Sequence, residues 1–573
     1  MVYGGKPSRG CRTCRARRIK CDEGKPTCMR CARSKRECGG YRPEFEIVHR
    51  DQTGSTLRRL RRKTTEVKEP QPSRNRPYVF VQEELQACGR FSPSPSPEAT
   101  LTVPLVNRAW CHFASNFILM PLGVAPHGFM DYLVPLMESD RPGSALHHAF
   151  YACAFALLGN RARADGVDLG QLSLKEHTLA LAQTHKALGD PVAVTADSTL
   201  AAVLMLCLYE SITAVKESRM LAWRTHIDGA VQILKTRRHE QISQTRIGAL
   251  LFTAVRHHLV SRSLSSGIPL PFGADWWMSG GDTQSLFATC QRFALSYSEV
   301  RTDATRLMAN RPRDHKSIED MREIANRVQR LDNDIAQWLA TIPEQFRFKT
   351  VCRMSEDDVG LSRGLGYADL EVFPGRVDTY PDFVTAMAWN LGRVSRLLLN
   401  SLHIRVTAWI CSPVDYRTTP IYSAAKRICE ETIVEVSASV PYHLGWQMNG
   451  ESLGRAGLSA FACGEEGTFK ALPALFLIWS LTCIKNHDMS SEVQRAWARG
   501  RLRFIADEVG LKYAHLVNQV DIRFPSMMIR QDGQLASVDP LQTPGESGFY
   551  LRPTFTPETP ESLGSVNKSP PPD

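Results

Sequence analysis

The chain has 573 residues, 43% of them hydrophobic, and a formal net charge of +11. That length suits a small module plus one large domain, and that hydrophobic fraction excludes a wholly disordered chain. The charge is uneven. Residues 1–76 carry 22 Lys and Arg against 8 Asp and Glu, a net of +14, and the remainder carries 48 against 51, a net of −3. A polyanion partner is therefore expected for the amino-terminal segment and not for the body.

Residues 1–45 hold a doubled cysteine triplet, Cys11-x2-Cys14-x6-Cys21 and Cys28-x2-Cys31-x6-Cys38, the second repeating the first 17 positions on. Thiolates are soft anions that suit zinc(II) in tetrahedral geometry, and a Cys-x2-Cys pair chelates one ion through a tight turn. Two ions need eight ligand positions, which six sulfurs fill only if two of them bridge. The count favours one binuclear cluster, formally −2 from two zinc(II) and six thiolates, over two separate sites. Arg-Ala-Arg-Arg-Ile-Lys between Cys14 and Cys21 both screens that charge and offers cations to phosphate. No secretory signal is read ahead of Cys11, so a reducing compartment is expected, where clustered cysteines point to metal rather than disulfides. The ten other cysteines are scattered, several in apolar runs such as 204–208 around Cys207, and read as buried, inert thiols.

Residues 46–104 read as a basic, Ser/Pro-rich linker, with Ser92-Pro-Ser-Pro-Ser-Pro97 as an extended, solvated stretch. Within it Arg58, Arg59, Arg61, Arg62 and Lys63 form a basic run, a candidate nuclear import signal or an additional phosphate contact. The apolar residues from Phe45 to Val67 do not repeat as a heptad, so a monomer, or a dimer through the helical domain, is expected. Residues 105–534 read as one all-α domain. Segment 199–208 is apolar all round and predicts a buried central helix, and 220–234 predicts an amphipathic one. Ile318, Met321, Ile324, Val328, Leu331, Ile335 and Trp338 predict a third, with Ser317 and Asp320 as a capping box and Pro343 as its stop. Residues 471–484 are apolar but too short to span a bilayer, and no membrane partner is expected. Residues 535–573 read as a disordered tail.

The complete cysteine pattern, with Cys14-Arg-Ala-Arg-Arg-Ile-Lys-Cys21-Asp-Glu and Lys25-Pro26-Thr-Cys28, closely resembles the fungal binuclear zinc cluster transcription factors. The resemblance implies two zinc ions on Cys11, Cys14, Cys21, Cys28, Cys31 and Cys38, with Cys11 and Cys28 bridging. It places Arg17 and Arg18 on the base edges of a CGG triplet in duplex DNA. The family usually has lysine at the position of Arg18, and arginine also reaches guanine O6 and N7. Arg12, Arg15, Lys20, Arg33, Lys35 and Arg36 are then phosphate contacts. More softly, 187–191, 199–210 and Trp223-x2-His226-Ile-x-Gly229-Ala resemble the fungal-specific regulatory domain that accompanies such clusters. There His226 reads as a core or capping histidine rather than a ligand. The implied protein is a nuclear, sequence-specific regulator of RNA polymerase II genes that engages the transcription machinery.

Two other readings compete. Gly450-Glu-Ser452-Leu-Gly454 matches a hydrolase nucleophile elbow, but that motif needs a sharp strand-to-helix turn, and no alternating β/α pattern surrounds it. A zinc-dependent protein- or RNA-binding scaffold needs aromatics interleaved with the basic patch for stacking. The module has only Tyr3, Tyr41 and Phe45, so duplex DNA is favoured and no catalytic role is expected.

Overall fold

The computed structural model describes residues 11–17, 19–24, 27–40, 103–121, 128–161, 168–214, 217–237, 245–266, 269–448, 451–452, 461–462 and 469–532. The Ser-Pro run, the basic run Arg58–Lys63, Tyr3, Tyr41, Phe45 and the tail lie outside them.

The cysteine module consists of two copies of one short backbone pattern. Helices α1 (Arg12–Ala16) and α2 (Met29–Arg33) each start one residue after the first cysteine of a triplet. In both, that cysteine's sulfur accepts the N–H three residues on: Cys14 N–H to Cys11 Sγ and Cys31 N–H to Cys28 Sγ, each 3.3 Å. Each helix is closed alike, by the N–H of Ile19 on the Cys14 carbonyl and of Arg36 on the Cys31 carbonyl, both 3.1 Å.

The rest of the chain is mostly helical, and the structure divides into two compact units. The first draws on the chain up to Val255 together with Ala456–Leu472 and Ala506–Tyr513. Its helices are α3 (Leu105–Phe117), α4 (Leu133–Ser139), α5 (Ala145–Arg161), α6 (Leu169–Leu188), α7 (Asp197–Thr213) and α8 (Glu217–Thr236). Thr199 to Ile212 of α7 are buried without interruption, so the expected central helix is present, with α5 and α8 packed on it. Each fully buried leucine there contributes about 1.5–3 kcal/mol of transfer free energy. On α8, Ile227, Ala230, Val231 and Leu234 face inward, the stripe read from sequence. The end of α5 is tied to the late segment: Asn160 Nδ2 donates to the carbonyls of Gly510 (2.7 Å) and Ile212 (3.0 Å), and Arg161 Nε to that of Val509 (2.7 Å).

The second unit comprises Arg256–Arg455, Pro473–Ile505 and the chain from Ala514. Helix α9 (Arg246–Ser266) runs across the sequence boundary between the units and is followed by α10 (Gly273–Met278), α11 (Leu286–Asn310) and α12 (His315–Thr341). Then come β1 (Lys349–Met354), β2 (Gly375–Thr379), α13 (Phe383–Cys411), α14 (Pro420–His443), β3 (Gln447–Met448) and β4 (Glu451–Ser452). Helices α15 (Ala471–Asn486), α16 (Glu492–Asp507) and α17 (Tyr513–Gln519) complete the described chain. Long helix α13 is buried along most of its length, with α11, α12 and α14 against it. Its Arg393 is 1% exposed and is held by the Tyr380 hydroxyl at 2.6 Å among the rings of Phe348, Trp389 and Tyr380.

Two sequence expectations need correction. Helix α12 starts at His315, and its N-cap is Asp314, whose carboxylate accepts the Ser317 N–H at 2.8 Å. Asp314 is an equally good cap that lies closer to the preceding Pro312, so the helix starts earlier and Asp320 pairs with Arg311 at 2.5 Å instead. Two small antiparallel sheets, β1–β2 and β3–β4, are added to the expected helices. Strand β1 is largely exposed, with a bulge between Thr350 and Cys352, so it carries no apolar alternation to read. Among the described residues no helix is long and apolar enough to cross a membrane.

The second unit also holds His443 buried and His257 and His258 half-buried. Burial pushes His257 down to about 3, with His258 and Arg256 adding repulsion, and pushes His258 and His443 each down to about 4. Their unfolded value is about 6.5. Above that pH both states are neutral and the stabilisation is fully present. As pH falls from about 6.5 towards 4 the unfolded chain takes up protons that the folded unit refuses, and stability drops. Thermal unfolding followed at stepwise pH is expected to show a flat melting temperature above pH 6.5 and a falling one below it.

Candidate metal and nucleic-acid site

The six module sulfurs form one tight group. Cys11 Sγ lies 3.7 Å from Cys28 Sγ and 3.8 Å from Cys31 Sγ, and Cys14 Sγ lies 3.7 Å from Cys28 Sγ and 3.9 Å from Cys31 Sγ. Zinc–sulfur bonds of about 2.3 Å give a tetrahedral sulfur–sulfur edge of about 3.8 Å. Two four-sulfur sets have every ligand atom within 4.8 Å of the others: Cys11, Cys14, Cys21 and Cys28, and Cys11, Cys28, Cys31 and Cys38. Both sets contain Cys11 and Cys28. Two tetrahedra sharing one edge require that overlap, so the donor set fits a pair of zinc ions.

The electrostatics agree. Burial pushes the Cys14 and Cys31 thiols up, Cys31 to about 12. At Cys21 burial also opposes ionisation, but the backbone N–H groups of Cys11 and Glu23, each 3.4 Å from its sulfur, outweigh it and draw the thiol down to about 7. Sulfurs this close cannot ionise together without cations between them, which is the compensation a divalent metal supplies.

Around this group Arg12, Arg17, Lys20, Arg33, Lys35 and Arg36 are exposed. Arg18 and the side chain of Arg15 lie outside the described residues. Two contacts carried no sequence signal of their own. Asp22 accepts the N–H groups of Met29 (2.8 Å) and Arg30 (3.2 Å), which cap α2 from the opposite half. Thr13 on α1 bonds the backbone at Glu37 and Gly39. Only superposing the two triplets at their 17-residue offset would have singled out these positions.

The other candidates are accounted for by packing. His226 Nε2 and His177 Nε2 lie 3.8 Å and 3.7 Å from one oxygen of buried Glu210, which makes His226 a core histidine. Ser452 sits on the second strand of the two-residue hairpin β3–β4, not on a strand-to-helix turn.

A cysteine cluster with metal-binding geometry, studded with exposed cations and attached to a helical body, defines a DNA-binding regulator. Residues 9–46 match the fungal Zn(2)-Cys(6) binuclear cluster domain, a zinc-binding fold, and residues 105–347 match the fungal specific transcription factor domain. The chain carries the zinc-cluster domain and the regulatory domain of fungal transcription factors. It is 25% identical to transcription factor dbaG of Emericella nidulans over 347 residues, which is 59% of this chain and 74% of that protein. It is 53% identical over 47 residues to white-opaque regulator 2 of Candida albicans, 8% of this chain and 10% of that one. It is 54% identical over 39 residues to the aspercryptin biosynthesis cluster-specific transcription regulator atnN of Emericella nidulans, 7% of this chain and 6% of that one. No solved structure matches the chain.

Proposed function

We propose that this regulator works in the nucleus on genes transcribed by RNA polymerase II, and reads CGG-type triplets with Arg17 and Arg18. Residues 1–45 are the reading head, 46–104 the linker with the import signal Arg58–Lys63, 105–534 the regulatory body and 535–573 the tail. Cys11, Cys14, Cys21, Cys28, Cys31 and Cys38 hold two zinc ions, with Cys11 and Cys28 bridging. The observation that carries this reading is the overlap of the two four-sulfur sets at those two residues.

When bound, zinc would supply charge compensation and a rigid frame for the six sulfurs. The chain's own residues do the rest. Exposed Arg12, Lys20, Arg33, Lys35 and Arg36 neutralise phosphates and set the register on the duplex, together with Arg15. Arginine side chains then meet guanine O6 and N7 in the major groove. The protein acts by binding, and contact with the transcription machinery falls to the body. It binds as a monomer or dimerises through the helical body.

Elemental analysis of the purified full-length protein is expected to give two zinc per chain. Binding to a CGG duplex should be lost on chelation and restored by added zinc. One zinc per chain, or CGG binding that persists after chelation, would overturn the reading.

A further inference from the structure

The 17-residue repeat lets each position of one half be compared with its counterpart in the other. Thr13 corresponds to Arg30, and Gly39 to Asp22. These positions meet in matching pairs across the module, but by different chemistry. At α2 the side chain comes from the opposite half, where the Asp22 carboxylate accepts the Met29 and Arg30 N–H groups. At α1 the helix itself supplies the side chain. The Thr13 hydroxyl accepts the Gly39 N–H at 2.9 Å and donates to the Glu37 carbonyl at 3.1 Å. The Arg12 N–H adds a third bond, to the Gly40 carbonyl at 2.9 Å. A Cβ at position 39 would lie 3.3 Å from Thr13 Oγ1 and 3.4 Å from Arg12 Cβ, so glycine suits this close approach.

We propose that Thr13 is a positioning residue for DNA reading: its hydroxyl clamps residues 37–40, the irregular segment after the second helix, onto α1 and so fixes the direction of Arg17. The proposal rests on the reading above, in which the first half carries the base contacts. Helix α1 is a single turn of five residues, too short to hold its own axis without external contacts. The Arg17 N–H donates to the Thr13 carbonyl at 3.2 Å, so one residue joins the clamp to the reading arginine. Bidentate recognition of guanine is sensitive to small shifts of the guanidinium. The clamp is present on the half with the Arg-Ala-Arg-Arg-Ile-Lys insert; its counterpart in the second half is Arg30, which has no hydroxyl to offer. Thr13 touches residues 37–39 through its hydroxyl and contributes no sulfur, so metal binding and reading separate at this residue.

The test compares full-length wild type, Thr13→Val and Thr13→Ser for zinc content and for affinity to a CGG duplex and a scrambled duplex. Thr13→Val is expected to keep wild-type zinc and to lose about three- to tenfold in CGG affinity, the range for one or two lost hydrogen bonds. Scrambled-duplex binding, set by phosphate contacts, should change little, and Thr13→Ser should restore the wild-type ratio. Unchanged CGG affinity in Thr13→Val overturns the clamp. So does a loss of affinity that tracks a loss of zinc, because the role is then structural. A wild type without CGG preference overturns the DNA-reading assignment itself, and the clamp with it.

Discussion

Cys28→Ala in the full-length protein is expected to release both zinc ions and abolish duplex binding. Cys28 shares with Cys11 the costliest kind of position, because its sulfur belongs to both four-sulfur sets and also accepts the Cys31 N–H at the start of α2. Removing it leaves each set with three sulfurs at once. Structural zinc supplies about 10–16 kcal/mol of apparent binding free energy in small zinc-organised peptides, far more than the module's few apolar contacts provide. Cys38→Ala makes the contrast, since the set of Cys11, Cys14, Cys21 and Cys28 stays complete, and this variant should keep about one zinc. Cys290→Ala removes a buried thiol of the second unit that donates to the Ala388 carbonyl and should keep two. Elemental analysis beside fluorescence anisotropy reads all three. A Cys28→Ala protein that retains one zinc and binds its duplex would show that the sulfur does not bridge.

Gly500→Ala is expected to destabilise the helical body markedly. A Cβ at position 500 would lie 1.7 Å from the Ala368 carbonyl oxygen and 2.6 Å from its carbon. Those atoms are backbone, so no side-chain rotation relieves the clash. The loop is pinned from the same helix, since Trp497 Nε1, one turn earlier on α16, donates to the Leu370 carbonyl at 3.1 Å. Helix α16 must then lift off the 366–370 loop or break that bond. Overpacking of this kind costs about 1–3 kcal/mol, at the upper end where backbone must move, against a gain of roughly 1 kcal/mol that glycine-to-alanine brings to an unobstructed helix. Denaturant unfolding monitored by tryptophan fluorescence measures it. An unchanged or raised midpoint would mean that the loop moves aside freely.

What the sequence disclosed follows from how local each signal is. The cysteine module was legible because metal ligands must recur at fixed spacing, and the doubled triplet states the ligand number directly. Helices α7 and α12 were legible because Thr199–Ile212 and the Ile318–Trp338 stripe keep their pattern over many turns. The start of α12 was misplaced because Asp314 and Ser317 are both good caps in isolation, and the choice depends on how the chain arrives from Pro312. Strand β1 escaped because its pairing with β2 spans a loop of some twenty residues and leaves Lys349, Thr350 and Val351 exposed. Gly500 carries no local sequence signal of its role. Its purpose depends on Ala368, 132 positions earlier, and no local pattern carries such a contact. The Thr13 contacts lie closer in sequence but cross between two halves that look alike, so only a comparison of the halves separates them.

The hydrogen bonds from Asn160 and Arg161 to the carbonyls of Val509 and Gly510 bear on how this protein can be cut. Val509 and Gly510 lie more than 150 residues beyond the last position, 347, matched by the regulatory-domain family. A fragment trimmed to the family match would lose these two carbonyls and leave Asn160 to the Ile212 carbonyl and Arg161 to the Asn116 side chain. Ribosomal synthesis meets the same order, for these two bonds form only once residues 509–510 have been made.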